Sequence, residues 1–278
     1  MRDATTSTAT RSRIDDAFAK ARAEGRIALI PYVTSGYPNL AQTRVLVNAI
    51  VAGGADLIEI GVPFSDPLAD GATVQRTSQI ALDNGITLRD TVKLVRQLRE
   101  EDGVEIPILL MGYVNPFLHY GLERLASDAA EVGIDGFIVP DLPVEEGDEW
   151  TEILRPAGRD LILLVAPTST DRRIEGVADK ASGFIYCVSL TGVTGARSDV
   201  SEELPAYMQR VRSKTDLPLA IGFGISTRAH VVQVAGISDG VVVASALINH
   251  LDTFPESEQA AAATAFVRDL RAATKKPV

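Results

Sequence analysis

The chain contains eight short and nearly continuous apolar runs, separated by longer stretches in which apolar residues recur with helical spacing. Runs of this kind are typical of strands buried on both faces, as in parallel sheets covered by helices. The predicted strands span 28–34, 56–62, 107–113, 136–141, 160–166, 183–189, 218–224 and 240–246. The predicted helices span 14–24, 40–53, 87–101, 122–132, 144–154, 172–181, 203–214, 228–235 and 256–274.

Strands that alternate with helices in this way predict an α/β fold, a (β/α)8 TIM barrel with an extra helix before the first strand. The alternative is a doubly wound open sheet, which usually has about five or six strands and often a G-x-G-x-x-G motif at its first turn. No such motif follows the first predicted strand. We expect a disordered tail over residues 1–13 and a single barrel domain over 14–278.

Composition excludes several classes of function. The net charge is −10 and no run is rich in Lys or Arg, which argues against a nucleic-acid partner. The single cysteine, Cys187, permits no intrachain disulfide, and no Cys/His cluster has metal-ligand spacing, so we expect no metal site. No apolar run is long enough for a membrane span. A reducing cytoplasm is the expected compartment.

Glu59 is a carboxylate inside the apolar run LIEIGV. Side chains alternate along a strand, so Glu59 faces the barrel interior if Ile58 and Ile60 face the helices. Burial would raise its proton affinity and suit it to general acid–base chemistry near neutral pH. The alternative is a structural glutamate paired with a Lys or Arg, which would have to come from a loop because the predicted strands contain neither.

Two further acids follow in the loop GVPFSDPLADG. Asp70 precedes a glycine and Asp66 precedes a proline, and turn formation alone explains an aspartate at either position. Spacing therefore assigns neither of them a catalytic role.

Small residues after the last three strands indicate a phosphate site. Strand six ends in SLTGVTGA, strand seven in GFGIST and strand eight in ASALI. TIM barrels often bind phosphate at the loops after strands seven and eight, and glycines let the backbone approach an anion closely. The alternative is that the glycines only form tight turns. The loop 189–200 is either a lid over the substrate or a plain connector.

Aromatic side chains lie at or near several predicted strand ends. They are Tyr32, Tyr113, Tyr186 and Phe223. Such a group suits a flat apolar ligand, and ordinary core filling is the alternative for each one.

Five segments in this order resemble the tryptophan synthase alpha chain family: LIEIGVPFSDPLADG, MGYVNPF, VPDLPVEE, SLTGVTGAR and GFGIS. The resemblance runs from about residue 14 to the C-terminal helix, and the first segment is highly specific. It implies a lyase that cleaves indole-3-glycerol phosphate to indole and glyceraldehyde 3-phosphate. It also implies an α2β2 assembly with a beta chain that carries pyridoxal phosphate, and no cofactor in this chain.

The resemblance also assigns roles to residues. Glu59 would protonate the indole ring at C3 and then accept the proton of the glycerol hydroxyl, while Asp70 would bind the indole N–H and stabilise the charge that develops there. The remaining positions form three groups. The substrate pocket would contain Tyr32, Tyr113, Ile138, Tyr186 and Thr194, the phosphate site Gly195, Phe223, Gly224, Ala244 and Ser245, and the beta-chain contact Asp66, Asn115, Pro143, Glu145 and Glu146.

The sequence departs from the family pattern at two site positions. Ala244 stands where many relatives have glycine, and Tyr32 where some have phenylalanine. Only the N–H of residue 244 is needed, so phosphate binding should survive. A stand-alone lyase without a partner, another sugar-phosphate barrel enzyme and an allosteric binding subunit are the alternative functions.

Overall fold

The structure is a computed structural model that describes residues 11–189, 203–222 and 224–277. The described strands are all parallel and pair in the order β5-β4-β3-β2-β1-β9-β8-β7-β6. They are β1 (Ala28–Thr34), β2 (Ile58–Gly61), β3 (Ile108–Met111), β4 (Gly136–Ile138), β5 (Asp160–Ile162), β6 (Leu164–Val165), β7 (Ile185–Val188), β8 (Leu219–Gly222) and β9 (Gly240–Val243). β5 and β6 are the two halves of the predicted fifth strand, so the two ends of this order meet and the predicted eight-stranded barrel is confirmed.

Helices cover the outside of the barrel and include all those predicted. They are α1 (Arg13–Ala23), α2 (Leu40–Gly53), α3 (Ala72–Asp83), α4 (Leu88–Glu100), α5 (Val114–Tyr120), α6 (Leu122–Val132), α7 (Gly147–Leu154), α8 (Asp171–Lys180), α9 (Leu204–Arg212), α10 (Arg228–Ala235), α11 (Ser245–Leu251) and α12 (Glu256–Ala273). The predicted helix 144–154 begins with a 3-10 turn over Val144–Glu146. Three helices, α3, α5 and α11, were not predicted. The predicted strand 240–246 was therefore wrong at its end, because Ser245 begins α11.

Two apolar cores lie on the two faces of the sheet. Ile58 and Ile60 of β2 belong to the outer core, which packs the strands against the helices. The inner core fills the barrel and includes Phe18 of α1, whose ring centroid lies 5.4 Å from that of Phe184. A Cβ at Gly240 would come within 2.9 Å of the Phe18 ring. The extra N-terminal helix therefore closes the end of the barrel at which the strands begin.

Four pairs of residues join neighbouring strands at that same end through reciprocal hydrogen bonds. In each pair the second residue donates its backbone N–H to the carbonyl of the first, and its side-chain oxygen accepts the N–H of the first. The pairs are Leu29 with Asp56, Ile108 with Asp135, Leu161 with Ser182, and Leu219 with Asp239. We call these the reciprocal pairs. They satisfy backbone donors where the ladders begin.

Replacing Ser182 with alanine leaves the buried N–H of Leu161 without its side-chain acceptor, which lies at 3.1 Å. We expect the free energy of unfolding to fall by about 1 kcal/mol. Urea denaturation of Ser182→Ala measures this. Ser213→Ala is the control, because the Ser213 hydroxyl binds a carbonyl on the exposed end of α9. Equal stability of the two variants would contradict a stabilising role for the reciprocal pairs.

Candidate active site

The Glu59 side chain points into the barrel, as its alternation with Ile58 and Ile60 predicted. Glu59 is 1% exposed and lies beside Tyr32 and Leu109 in the sheet register. Its Oε2 atom has no hydrogen-bond partner among the described residues. No Lys or Arg in the part of the chain that the structure describes forms an ion pair with Glu59. The alternative of a structural glutamate paired with a basic residue therefore finds no support.

The pKa of Glu59 is raised to about 8. Burial is the larger cause, and the nearby negative charge of Asp70 is the smaller one. The carboxyl group is therefore mostly protonated at neutral pH and titrates close to it. A group in this state can donate a proton and take one back, which is what a general acid–base catalyst requires.

The raised pKa of Glu59 makes folding stability depend on pH. The folded chain holds this proton more tightly than the unfolded chain. The buried carboxyl group therefore does not reduce the free energy of unfolding below about pH 4.5, and it reduces it increasingly up to about pH 8. We expect Glu59→Gln to unfold with a higher free energy than the unsubstituted chain at about pH 8.5, and this difference to vanish at about pH 4. Denaturant titrations at both pH values measure it. A difference that is the same at both would show that Glu59 titrates normally.

Asp70 lies in the loop between β2 and α3, where its N–H donates to the Pro67 carbonyl at 3.0 Å. Its carboxylate is hydrogen-bonded to the Tyr113 hydroxyl, which also accepts the Ala69 N–H at 3.0 Å. Burial raises the pKa of Asp70 to about 6, and the Tyr113 hydrogen bond opposes that rise. Asp70 is therefore mostly ionised at neutral pH while Glu59 is mostly protonated, a separation typical of paired catalytic carboxyl groups.

A cavity lies where the strands end, and both carboxyl groups line it. Apolar side chains with a few converging polar groups are typical of small-molecule sites. The described lining residues are Tyr32, Glu59, Asp70, Gly71, Val74, Met111, Tyr186, Gly224, Ile225, Ser226, Val242, Ala244, Ser245 and Ala246.

Two tyrosines form apolar walls of this cavity by passing over glycines of the next strand. A Cβ at Gly61 would collide with the Tyr32 hydroxyl, and a Cβ at Gly222 with the Tyr186 hydroxyl. The Tyr32 hydroxyl also accepts a hydrogen bond from Thr34 Oγ1 at 3.3 Å. The two strand glycines therefore make room for the aromatic side chains that the sequence predicted at the cavity.

Of the other predicted pocket residues, Tyr113 lies against the Asp70 loop and packs against Phe64, with the two rings tilted and their centroids 5.2 Å apart. Ile138 is fully buried in the inner core and is not among the described lining residues. Thr194 lies outside the residues that the structure describes. The structure thus brings Tyr32 and Tyr186 to the cavity directly, and Tyr113 through Asp70.

Three of the predicted phosphate residues line the cavity together. Gly224 follows β8 with a positive φ of 75°, Ala244 lies between β9 and α11, and Ser245 is the first residue of α11. Only glycine adopts that conformation readily, and it leaves backbone close to the cavity. Gly195 and Phe223 lie outside the described residues. The three described positions have small side chains, and Ser245 adds a hydroxyl group.

Sequence reasoning missed several lining residues. Val74 is one of them because α3 was not predicted, whereas Met111 and Val242 follow from the alternation of inward-facing residues along β3 and β9. Gly71 and Ser226 are the last residues of the motifs LIEIGVPFSDPLADG and GFGIS, but they were not assigned to the site. A strict two-residue count along each strand was the signal that could have found the strand residues.

The residues predicted to meet a beta chain lie in the segments that follow β2, β3 and β4. Asp66 and Asn115 line a second, shallow cavity beside Leu68, which is 93% exposed. Pro143 precedes the 3-10 turn that contains Glu145 and Glu146, both exposed. These residues share the end of the barrel that carries the main cavity, and their contact with a partner stays a prediction.

The described residues offer neither a metal site nor a membrane-spanning helix. They contain no group of three or more His, Cys, Asp or Glu side chains that could hold a metal ion. Among the same residues, no helix is both long and apolar enough to cross a bilayer. Cys187 is buried in β7, where burial raises the pKa of its thiol to about 12, so it is unreactive at neutral pH.

A family model and individual relatives place this chain in the same family. The model of the family "Tryptophan synthase alpha chain" matches residues 18–275. A tryptophan synthase alpha chain from Roseiflexus sp. (strain RS-1) is 55% identical over 260 residues, which are 94% of this chain and 99% of the relative.

Solved structures agree with the sequence comparison. The tryptophan synthase subunit alpha of Legionella pneumophila superimposes with a TM-score of 0.87 at 37% identity, covering 95% of this chain and 98% of that one. A chain of tryptophan synthase from M. tuberculosis gives 0.85 at 34% identity, covering 96% and 100%. An alpha chain of this family needs no cofactor of its own, because the pyridoxal phosphate sits in the beta chain. The chain belongs to the tryptophan synthase alpha chain family and is a lyase that acts on indole-3-glycerol phosphate.

Proposed function

We propose that Glu59 is the general acid–base catalyst of the alpha reaction in tryptophan biosynthesis and that Asp70 stabilises the charge that develops on the indole ring. The observation that carries this proposal is the Glu59 carboxyl group, buried without a partner for Oε2 and lining the same cavity as Asp70. A carboxyl group that titrates near neutral pH and an ionised one beside it supply the two functions that the cleavage needs.

The reaction proceeds in two proton transfers. Protonated Glu59 donates to C3 of the indole ring, which places a positive charge on the ring nitrogen. The Asp70 carboxylate accepts the hydrogen bond of that N–H and stabilises the charge. Glu59, now ionised, takes the proton of the glycerol hydroxyl next to the ring as the carbon–carbon bond breaks. The electrons of that bond restore the indole, and the hydroxyl carbon becomes the aldehyde of glyceraldehyde 3-phosphate.

The remaining residues bind the two ends of the substrate. Tyr32 and Tyr186 contact the indole and glycerol part together with Tyr113, Ile138 and Thr194. Backbone N–H groups bind the phosphate, and the Ser245 hydroxyl adds a donor. The positions that supply them are Gly195, Phe223, Gly224, Ala244 and Ser245.

The partner is a tryptophan synthase beta chain in an α2β2 assembly in the cytoplasm, with allosteric coupling between the chains. Relatives of this chain have been solved as tryptophan synthases, which is consistent with such a partner. The exposed side chains of Asp66, Asn115, Glu145 and Glu146, with Pro143, form the proposed contact at the cavity end of the barrel. The alternative is a stand-alone lyase that needs no partner.

The test is indole release from indole-3-glycerol phosphate by the chain alone and with a tryptophan synthase beta chain added. The proposal expects slow release alone and a large rise with the beta chain. Fast release without the partner would favour the stand-alone lyase. No release in either condition would overturn the assignment of this cavity as the site of cleavage.

A further inference from the structure

Three side chains from different segments meet outside the cavity, on the side of β1. Tyr37 lies in the loop after β1, Arg76 on α3, and Asp252 at the C-terminal end of α11. The Tyr37 hydroxyl donates to Asp252 Oδ1 at 2.6 Å, and Arg76 Nη1 donates to the Tyr37 hydroxyl oxygen at 2.9 Å. Arg76 Nη2 completes the ring by donating to the other carboxylate oxygen of Asp252.

A second contact joins the same two helices one turn earlier. Thr73 lies three residues before Arg76 on α3, and Asn249 lies three residues before Asp252 on α11. The Thr73 hydroxyl donates to Asn249 Oδ1 at 3.1 Å. Residues three apart lie on one face of a helix, so facing sides of α3 and α11 are bonded at two successive turns. We call this set of contacts the α3–α11 tether.

The tether joins helices that begin at two different walls of the cavity. α3 starts directly after Asp70 and Gly71, whereas α11 starts at Ser245, directly after Ala244. β1 lies between β2 and β9 in the barrel, so the Tyr37 loop stands between the two helices. None of the three residues in the ring is among the described residues that line the cavity. The tether can therefore act on a ligand only through the walls that it joins.

We propose that Arg76, Tyr37 and Asp252 are positioning residues that fix the separation between the Asp70 wall and the Ala244–Ser245 wall of the cavity. This rests on the proposed function, in which one substrate molecule meets Asp70 with its indole N–H and the other wall with its phosphate. A ligand that spans both walls binds well only if their separation already fits it, because bringing the walls into place costs free energy at binding. A ligand that meets the phosphate wall alone does not depend on that separation.

Arginine suits this position because its planar fork presents several donors at once. Arg76 uses two of its nitrogens on two acceptors, and its guanidinium carbon lies 5.3 Å from the centroid of the Tyr37 ring. A lysine keeps the charge but offers no planar fork and stacks less well. Arg76→Lys should therefore keep only part of the ligand binding and of the kcat/KM that Arg76→Gln loses.

The test compares two ligands on Arg76→Gln, Tyr37→Phe and the unsubstituted chain. Indole-3-propanol phosphate spans both walls and lacks the hydroxyl groups needed for cleavage, whereas glycerol 3-phosphate carries only the phosphate end. For Arg76→Gln we expect about fivefold weaker binding of the first ligand, unchanged binding of the second and about a tenfold lower kcat/KM for indole release. Tyr37→Phe removes only the bridging hydroxyl and should shift the same quantities less.

Arg96→Gln is the matched control. Arg96 is 46% exposed, as Arg76 is 43% exposed, and it forms an ion pair with Glu131 at 2.6 Å between α4 and α6. It should bind both ligands as the unsubstituted chain does. Equal loss of both ligands in Arg76→Gln, or no loss of either, would overturn the positioning role. If the unsubstituted chain binds neither ligand, the proposed site itself is wrong, so the two failures are distinguishable.

Discussion

Glu59→Gln should lower kcat for indole release by about 10²–10⁴-fold, because glutamine keeps the shape of the side chain but transfers no proton. One group serves both proton transfers in the proposed reaction, so the effect should fall at the upper end of this range or beyond it. Steady-state release of indole from indole-3-glycerol phosphate, with the beta chain present, measures it. Binding of indole-3-propanol phosphate should change little.

Glu105→Gln is the control for this substitution. Glu105 is exposed and precedes β3 at the end of the barrel opposite the cavity. It should cleave the substrate as fast as the unsubstituted chain. Activity of Glu59→Gln close to that of Glu105→Gln would remove Glu59 from the mechanism, whereas a variant that is inactive and unfolded by circular dichroism would decide nothing about proton transfer. The raised pKa argues against that second result, because a neutral amide costs less to bury than a carboxylate.

Asp70→Asn should lower kcat by about 10²–10³-fold, the range found when one stabilising group of a transition state is removed. Asparagine can still accept the Tyr113 hydrogen bond through its amide oxygen, so the loop should keep its conformation. What the variant loses is the negative charge beside the ring nitrogen. Because that charge matters most when the ring is protonated, kcat should fall much more than KM rises.

Asp83→Asn is the matched control, since Asp83 ends the same helix that Asp70 precedes and is exposed. Single-turnover cleavage with both variants isolates the chemical step from product release. An equal single-turnover rate for the two variants would show that Asp70 is only a turn residue, which is the interpretation that its sequence context allows.

The strands could be predicted from the sequence because each one is buried on both faces and therefore apolar throughout. The helices α2, α6 and α10 were predicted to the residue, and each of them is followed directly by a glycine, a common helix stop. The break of the fifth strand at Leu163 leaves no mark in the run DLILLVA. It arises from the closure of the barrel, which no local pattern encodes.

The three missed helices have individual explanations. The segment of α3 is mostly polar and buries only one side. The apolar run of β9 continues into α11, and the predicted strand 240–246 included the first two residues of that helix. α5 contains Pro116, which usually argues against a helix. Pro116 is the third residue of α5, within the first turn, where the missing N–H has no helical acceptor in any case.

The candidate site also has features that the sequence predicts and features that it does not. The inward direction of Glu59 follows from two-residue alternation, which is a local rule. The environment of Asp70 depends on Tyr113, which lies 43 residues further along the chain at the end of the next strand. The tether joins Arg76 to Asp252, which are 176 residues apart. Sequence patterns predict which way a side chain points, but the partner it meets there depends on the closed barrel.

The reciprocal pairs have a consequence for how this protein can change. Glu59 and the reciprocal pairs lie toward opposite ends of the same barrel, so the group that weakens the fold and the groups that strengthen it are spatially separate. Substitutions at distant sites generally add in their effects on stability. Catalytic groups commonly lower stability, and extra stability elsewhere in the fold lets a protein tolerate them. Evolution or engineering can therefore raise thermal tolerance where the strands begin and then introduce new substrate chemistry where they end.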